Sequence, residues 1–295
     1  QHEPSRRQRQ MCIRDSWSFD PADAAYQSLA AGQPQTLTIP VIATDATGAT
    51  DTQNLVINLT GTNDVAQIGG ALVVHVSEDT GLTGGQLTAS GQAGVLDVDA
   101  GEAQITAQTG VTSSYGTFNI DAQGHWTYTA DNSNPDIQQL GLHDQIVDRF
   151  TITSVDGSAS REVAIHIEGT NDAPVVSHVV TNQTASEDAA FSFAVPQGTF
   201  TDIDTSDTLT LSTGSLPAWL SFDANTGTFS GTPLNGDVGT TQVTVTATDS
   251  QGASVSTTFD LVVNNTNDAP VLNPLSTQTV DEGGTQLIGQ LTASD

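Results

Sequence analysis

Apolar and polar residues alternate along most of this chain with a period of two. In the stretch QVTVTATD, Val243, Val245 and Ala247 share one parity and Thr244, Thr246 and Thr248 the other. In SVSTTFDLVV, Val255, Phe259, Leu261 and Val263 fall together, and EVAIHIEG groups Val163, Ile165 and Ile167. Side chains on a strand point to opposite faces in turn, so this pattern predicts strands with one face buried. Enrichment in Val and Thr suits such half-buried strands. Clusters of Gly, Asn, Asp and Pro separate the runs and predict turns. No long segment carries a helical period; only Pro135 to Leu140 is suited to one short helical turn. Short strands with frequent turns predict an all-β protein, built of tandem antiparallel β-sandwich domains of about a hundred residues each.

One short mark punctuates these runs. GTNDV stands at residues 61–65, GTNDAP at 169–174 and NTNDAP at 265–270, so its Asn recurs at Asn63, Asn171 and Asn267. Successive copies are separated by about a hundred residues, the length of one small β-sandwich. That spacing identifies one such domain as the repeating unit. The stretches 43–64 and 247–268 align without a gap from end to end, placing Asp45 and Asp249 at the same distance before the Asn of their marks. The middle copy follows the same plan with a tighter hairpin, from Asp156 to Asn171. Residues 17–65 therefore read as the C-terminal part of one unit, 66–173 and 174–269 as complete units, and 270–295 as the start of another. Residues 1–16 stand apart. They hold four of the six arginines, the only Cys and the only Met, and read as a non-native segment. The last residues, LTASD, fall inside a new repeat, and the chain reads as a piece of a longer one.

Charge narrows the partners. There are 34 acids against 6 basic residues, none of them lysine, for a formal net charge of −28. Nucleic acid is excluded as a partner, because phosphate contacts need clustered Lys and Arg. Anionic membrane surfaces are disfavoured for the same reason, and metal cations become the natural counter-charge. Asp outnumbers Glu, 27 to 7, which favours turns and calcium loops over helical surfaces. One cysteine gives no internal disulfide framework. No apolar run reaches the length of a membrane-spanning helix.

The residues also resemble known families. YGTFNIDAQGHWTYTADNSNPDIQQLGLHDQIVDRFTITSVDGSASREVAIHIEGTNDAP, 115–174, is similar to the VCBS-type repeat of large bacterial surface and secreted proteins. LPAWLSFDANTGTFSGTP followed by VTVTATDSQG, within 174–269, resembles a cadherin-like, dystroglycan-type immunoglobulin-fold domain. Such modules occur in giant RTX-type adhesins, often exported by type I secretion. The resemblance implies a secreted or cell-surface protein, with a place in biofilms, in which these units are non-catalytic spacers. It leaves open a ligand-binding adhesion module, for glycans or another copy of the adhesin, and spacer domains of a large secreted enzyme.

The mark looks like the calcium-binding linker D-x-N-D of cadherins, and calcium takes six to eight oxygens from flexible loops. Carried over residue by residue, the joint at 171 would use Glu78 of SED, Asn171, Asp172, Asp202 and Asp204 of TDID, and Asp249 of ATDSQG. The joint before it would use Asn63, Asp64, Asp97 and Asp99 of LDVD, and Asp156. The joint after it keeps Glu187, Asn267 and Asp268, with a partner acid expected at Asp295. The sequence departs from the linker pattern at its first Asp, which is Gly61, Gly169 or Asn265 here. Asx-Pro clusters are also common turns, and both readings stand at this point. Asp121 and Asp131 read as hairpin-turn residues. The six histidines are scattered without metal-ligand spacing such as H-x₃-H. Trp126 and Trp219 read as core or sheet-face residues, with a sugar-stacking platform as the alternative. No nucleophile elbow, P-loop or dinucleotide fingerprint is present, and acids recurring once per repeat behave as spacers rather than as a hydrolytic pair.

Overall fold

The computed structural model describes residues 16–280, 282–284 and 288–294. Most of the segment set apart at the N-terminus, residues 1–15, lies outside them, as does Asp295. The chain forms two compact units. Among the described residues, one comprises 16–137 together with Gln145–Glu168; the other comprises Gln138–Asp144 and those from Gly169 onward.

The first unit opens with a long antiparallel hairpin, β1 (Pro34–Thr44) and β2 (Thr50–Thr60), in register from Pro34↔Thr60 to Thr44↔Thr50. Eight further strands follow: β3 (Gln67–Gly70), β4 (Val73–Ser77), β5 (Gln86–Leu96), β6 (Gln108–Thr112), β7 (Gly116–Ile120), β8 (His125–Asp131), β9 (Gln145–Thr153) and β10 (Ser160–Glu168). They make a five-stranded sheet, β3-β5-β8-β7-β6, and a three-stranded sheet, β4-β10-β9. One helical turn, α1 (Pro135–Gln138), stands where the sequence allows it. Phe118 of β7 and Phe150 of β9 stack at 4.7 Å and join the two sheets. Around them Trp126, Tyr128, Ile152, Val163, Ile165 and Ile167 are all but inaccessible to solvent. Trp126 satisfies its indole N–H on the Ala71 carbonyl at 2.9 Å, so the expected core role holds.

The second unit repeats the sandwich plan. β12 (Gln183–Ser186), β19 (Ser254–Asn264), β18 (Gly239–Thr248) and β15 (Thr210–Thr213) form one sheet, in the order β12-β19-β18-β15. β13 (Phe191–Ala194), β17 (Thr228–Gly231) and β16 (Leu220–Asp223) form the opposing one. Short pairs β11–β14 (Val175–Val176 with Phe200–Thr201) and β20–β21 (Val271–Leu272 with Ala293–Ser294) complete it. Phe229 of one sheet meets Phe259 of the other edge-on at 5.7 Å, and Phe193 and Phe222 pack beside them. Val243, Val245, Ala247, Leu261 and Val263 are the buried parity read from the sequence. Each such Val or Leu side chain contributes about 1.5–3 kcal/mol by leaving water. Trp219 packs half-buried against this core.

Pairing is not antiparallel throughout. β4 runs parallel to β10, with Val73 opposite Ala164, and β12 runs parallel to β19, with Gln183 opposite Leu261. In each sandwich an early strand thus lies beside the last one, which leads into the Asn-Asp mark. Among the described residues no helix is long and apolar enough to cross a membrane.

Candidate metal centres

Two acidic clusters assemble where a mark meets the D-x-D stretch that follows it, and they are built alike. In the first unit Asp99 Oδ2 accepts the Asp64 N–H at 2.8 Å, and Asp97 Oδ1 accepts the Asp99 N–H at 2.9 Å. Asn63 Nδ2 donates to Asp64 O at 2.7 Å and to Asp156 Oδ2 at 3.1 Å. In the second unit Asp204 Oδ2 accepts the Asp172 N–H at 2.9 Å, and Asp202 Oδ1 accepts the Asp204 N–H at 3.1 Å. Asn171 Nδ2 donates to Asp172 O at 3.0 Å and to Asp249 Oδ2 at 3.1 Å. The four bonds correspond one to one. They tie the mark to the acids with one carboxylate oxygen each and leave the other oxygens aimed elsewhere.

Apart from Asp249 Oδ1, which accepts the amides of its own turn, those other oxygens have no donor. Asp97 Oδ2, Asp99 Oδ1, Glu102 Oε2 and Asp156 Oδ1 in one cluster, and Asp202 Oδ2 and Asp204 Oδ1 in the other, are buried and accept no hydrogen bond. Asp99 and Asp204 are each only 2 % exposed. A buried carboxylate oxygen without a donor or cation is costly. Convergent, donorless oxygens are the donor set that a hard, oxygen-seeking cation requires. The residues fit calcium on that ground.

Each cluster holds a third acid that the D-x-D reading missed. Oxygens of Asp97, Glu102 and Asp156 lie within 4.8 Å of one another, as do those of Asp202, Asp207 and Asp249. A tight turn brings the extra acid back: Glu102 N–H donates to Asp99 O at 3.2 Å, and Asp207 N–H to Asp204 O at 3.1 Å. The signal was available in the identical spacing, DVDAGE and DIDTSD. Two unit charges 4 Å apart repel by about 4 kcal/mol at an effective dielectric of 20. Burial, reinforced by the charges of Asp172, Asp202 and Asp207, pushes the Asp204 carboxyl up to about 6, against the opposing hydrogen bond from the Asp172 amide. Burial and then Asp99, Asp156 and Asp97 also raise Glu102. Asp156 goes the other way, held below the ordinary carboxylate range by hydrogen bonds from Ser154 and Ser158. For Asp249 burial is the largest single influence and is upward, but bonds from Asn171 and the Ala253, Gly252 and Gln251 amides together outweigh it and lower it.

The clusters differ in one neighbour. With both ends of its amide satisfied, Gln251 donates to Asn171 Oδ1 at 3.1 Å and to the Asp207 carboxylate at 2.7 and 2.9 Å. Its counterpart in the first cluster is Ser158, whose hydroxyl accepts the Ala66 N–H at 2.9 Å. A neutral amide thus shares the second cluster's oxygens.

The two glutamates occupy equivalent turns. Glu78 and Glu187 are 0 % and 1 % exposed, and their N–H groups donate to Glu168 O and Asn264 O, both at 3.0 Å. The Asp that follows each, Asp79 or Asp188, has a positive φ of 57° or 59°. Glu187 Oε1 accepts from Asn265 Nδ2 at 2.8 Å and from the Thr266 N–H at 2.6 Å, while Oε2 is buried without a donor. Asn267 Nδ2 donates to Asp268 O at 3.0 Å, the same internal bond as in the other marks. Asp268 Oδ2 accepts from Asn235 at 3.3 Å. Asp121 and Asp131 cap their own turns, accepting from Gln123 and His125 and from Ser133.

Residues 63–169 match the model of the bacterial cadherin-like domain, and residues 173–264 match that of a putative Ig domain. The chain carries cadherin-like, immunoglobulin-fold domains. Among solved structures, protocadherin gamma B2 extracellular cadherin domains 1–5 superpose at a TM-score of 0.53 with 16% identity, covering 79% of this chain and 46% of that one. The protocadherin gamma B7 EC3–6 cis-dimer structure gives 0.50 with 17% identity, covering 82% and 61%. The chain thus spans about half the length of these protocadherin structures, and at such identity the likeness is one of fold. No curated protein matches the chain in sequence.

Local backbone crowding accounts for the glycines at the first position of the mark. A Cβ on Gly61 would run into the carbonyls of Leu29 and Ala30, and one on Gly169 into those of Leu140 and Gly141. The backbone there passes too close for any side chain. In the third mark Asn265 fits, and it spends its amide on Glu187.

Proposed function

We propose that this chain is a calcium-stiffened extracellular spacer segment of a large bacterial adhesin or biofilm-associated surface protein, secreted or held at the cell surface, with no catalytic role. The observation that carries this reading is the pair of clusters built bond for bond alike, each aiming buried, donorless carboxylate oxygens inward. Asn63, Asp64, Asp97, Asp99, Glu102 and Asp156 are the ligand set of one joint. Asn171, Asp172, Asp202, Asp204, Asp207 and Asp249 form that of the next. Glu187, Asn267 and Asp268 begin a third. Calcium supplies the positive charge that an acid-rich, lysine-free chain lacks. The chain's own residues then do the mechanical work. The Asn amide holds its mark against the incoming Asp, and the D-x-D amide bond fixes the second acid. The ring of Pro174 locks its own φ and restricts Ala173, which stiffens the exit from the mark. Acids that recur once per joint, without a nucleophile or base beside them, support a structural rather than a hydrolytic role.

Small-angle scattering of the chain in chelator and in millimolar calcium tests this. Extracellular modules of this kind bind at roughly 10⁻⁴ to 10⁻³ M. We expect a longer, more uniform particle in calcium, and no such response in Asp202→Asn, Asp204→Asn with both units still folded. Identical wild-type profiles in the two conditions would reduce the mark to a turn.

A further inference from the structure

The outer face of the β4-β10-β9 sheet carries a second, chemically different ligand pair. His75 of β4 and His166 of β10 are direct partners in the parallel ladder. Their rings stack with centroids 4.6 Å apart and planes 23° from parallel. His75 is exposed and His166 half-buried, so neither ring fills a core. Each ring is anchored through its Nδ1: His75 lies 2.7 Å from Glu168 Oε1, and His166 lies 3.0 Å from Gln145 Oε1. A carboxylate or amide oxygen only accepts, so in each neutral ring Nδ1 carries the proton and Nε2 keeps a lone pair. Two imidazoles stacked across neighbouring strands, each held by an oxygen behind it, have the support that metal-binding histidines commonly have. The nearest cation on the sheet, Arg149, is engaged with Glu162 at 3.5 Å.

We propose that His75 and His166 are a two-imidazole chelate for a divalent transition cation such as Zn²⁺, with water completing its shell and Glu168 and Gln145 as positioning residues. The chemistry separates it from the joints. Imidazole suits Zn²⁺, Cu²⁺ and Ni²⁺, whereas calcium takes oxygen. The site therefore works in the calcium-rich medium that the joints require, and it stands or falls independently of them. The sequence concealed it because the two ligands stand far apart along the chain and meet only through a parallel strand pairing.

Zn²⁺ titration of the whole chain by calorimetry, at neutral pH in millimolar calcium, is the test. We expect wild type to bind one Zn²⁺ more than His75→Gln, His166→Gln. Each single histidine variant should weaken that event at least tenfold, and Glu168→Gln about tenfold, the loss typical of a group that orients a ligand. As a readout independent of any variant, Ni²⁺ should broaden the Cε1–H resonances of His75 and His166 before those of His125, His143 and His178. Equal stoichiometry and affinity in wild type and the double variant, or no preferential broadening, would overturn the proposal.

Discussion

The hairpins β1–β2 and β18–β19 share a sequence plan and differ in what covers them. Their ends align without a gap from residues 43–64 to 247–268, and the same offset places Ile39 on Val243 and Val41 on Val245. Val243 and Val245 are 1 % and 0 % exposed, whereas Ile39 and Val41 are 44 % and 52 % exposed. β18–β19 is flanked by β15 and β12 and faced by the sheet of β13, β17 and β16; β1–β2 is a two-stranded sheet. Alternation therefore specifies which face of a hairpin is apolar, but burial comes from the strands placed opposite. A lone pair of strands is marginal in water by itself.

The sharpest way to break this comparison is to truncate one aligned pair. Phe259, 3 % exposed, and Leu55 hold the same position in their hairpins. Phe259→Ala should cost the second unit about 3–5 kcal/mol, the range for a core Phe that leaves a cavity. Leu55→Ala should cost less than about 1 kcal/mol, because its side chain gives up far less buried area. Hydrogen exchange of the β18–β19 and β1–β2 amides reads the two separately. Comparable losses in both would mean that the face of β1–β2 is covered after all.

The same contrast shows what could be read in advance. Strand parity, the short helical turn at Pro135, the core role of Trp126 and the turns at Asp121 and Asp131 follow from local rules, and local rules sufficed for them. The recurring D-x-D and Asn-Asp pieces were visible, but not the bond that joins them, since Asp64 and Asp99 are far apart in sequence. Glu102 and Asp207 escaped because a reading borrowed from the cadherin linker looks for two acids where the local turn brings in three. Gly61 and Gly169 looked like lost ligands; the constraint on them is steric and comes from carbonyls well upstream, at Leu29 and Ala30 and at Leu140 and Gly141. The parallel placement of β4 beside β10 has no signal in alternation, which is blind to strand direction.

A second prediction concerns charge, and here too the environment decides. Asp204 is raised to about 6 while its relatives at exposed turns, Asp45 and Asp223, are lowered by their own hydrogen bonds. A carboxyl whose folded value lies above the unfolded one stabilises the fold where it is protonated. That contribution is present at low pH and lost as pH rises through about 6. In metal-free buffer the second unit should therefore become more stable between about pH 7 and about pH 5. A shift of this size corresponds to about 3 kcal/mol only below about pH 4; the part realised between about pH 7 and about pH 5 is about 1 kcal/mol, and screening by water reduces it further. Asp204→Asn should flatten the dependence and stabilise the metal-free protein at neutral pH. With calcium the order should reverse, because the carboxylate brings the cation a negative charge that the amide lacks. Thermal unfolding at the two pH values, with and without calcium, checks all three signs. A wild-type midpoint that falls on acidification without metal would show that the cluster is not under electrostatic strain.

The narrowest contrast isolates the acid itself. Asp45 and Asp249 head the same turn. Asp45 Oδ1 accepts the Thr47 and Ala49 N–H groups at 2.8 and 3.0 Å, and Asp249 Oδ1 accepts those of Gln251 and Ala253 at 2.9 and 2.8 Å. As turn residues they are interchangeable. Only Asp249 also offers its second oxygen, held by Asn171, to a group that includes Asp202 and Asp207. Asn keeps an oxygen for the turn amides but gives up the charge. Asp249→Asn should therefore weaken calcium binding at its joint about tenfold, a ratio equal to one step of about 1.4 kcal/mol in binding free energy. Asp45→Asn should leave calcium binding unchanged in both affinity and stoichiometry. Calcium calorimetry on the two variants decides it. A matching loss in both would make the turn, rather than the cluster, the source of the response; a loss in Asp249→Asn alone assigns it to the carboxylates gathered around Asn171.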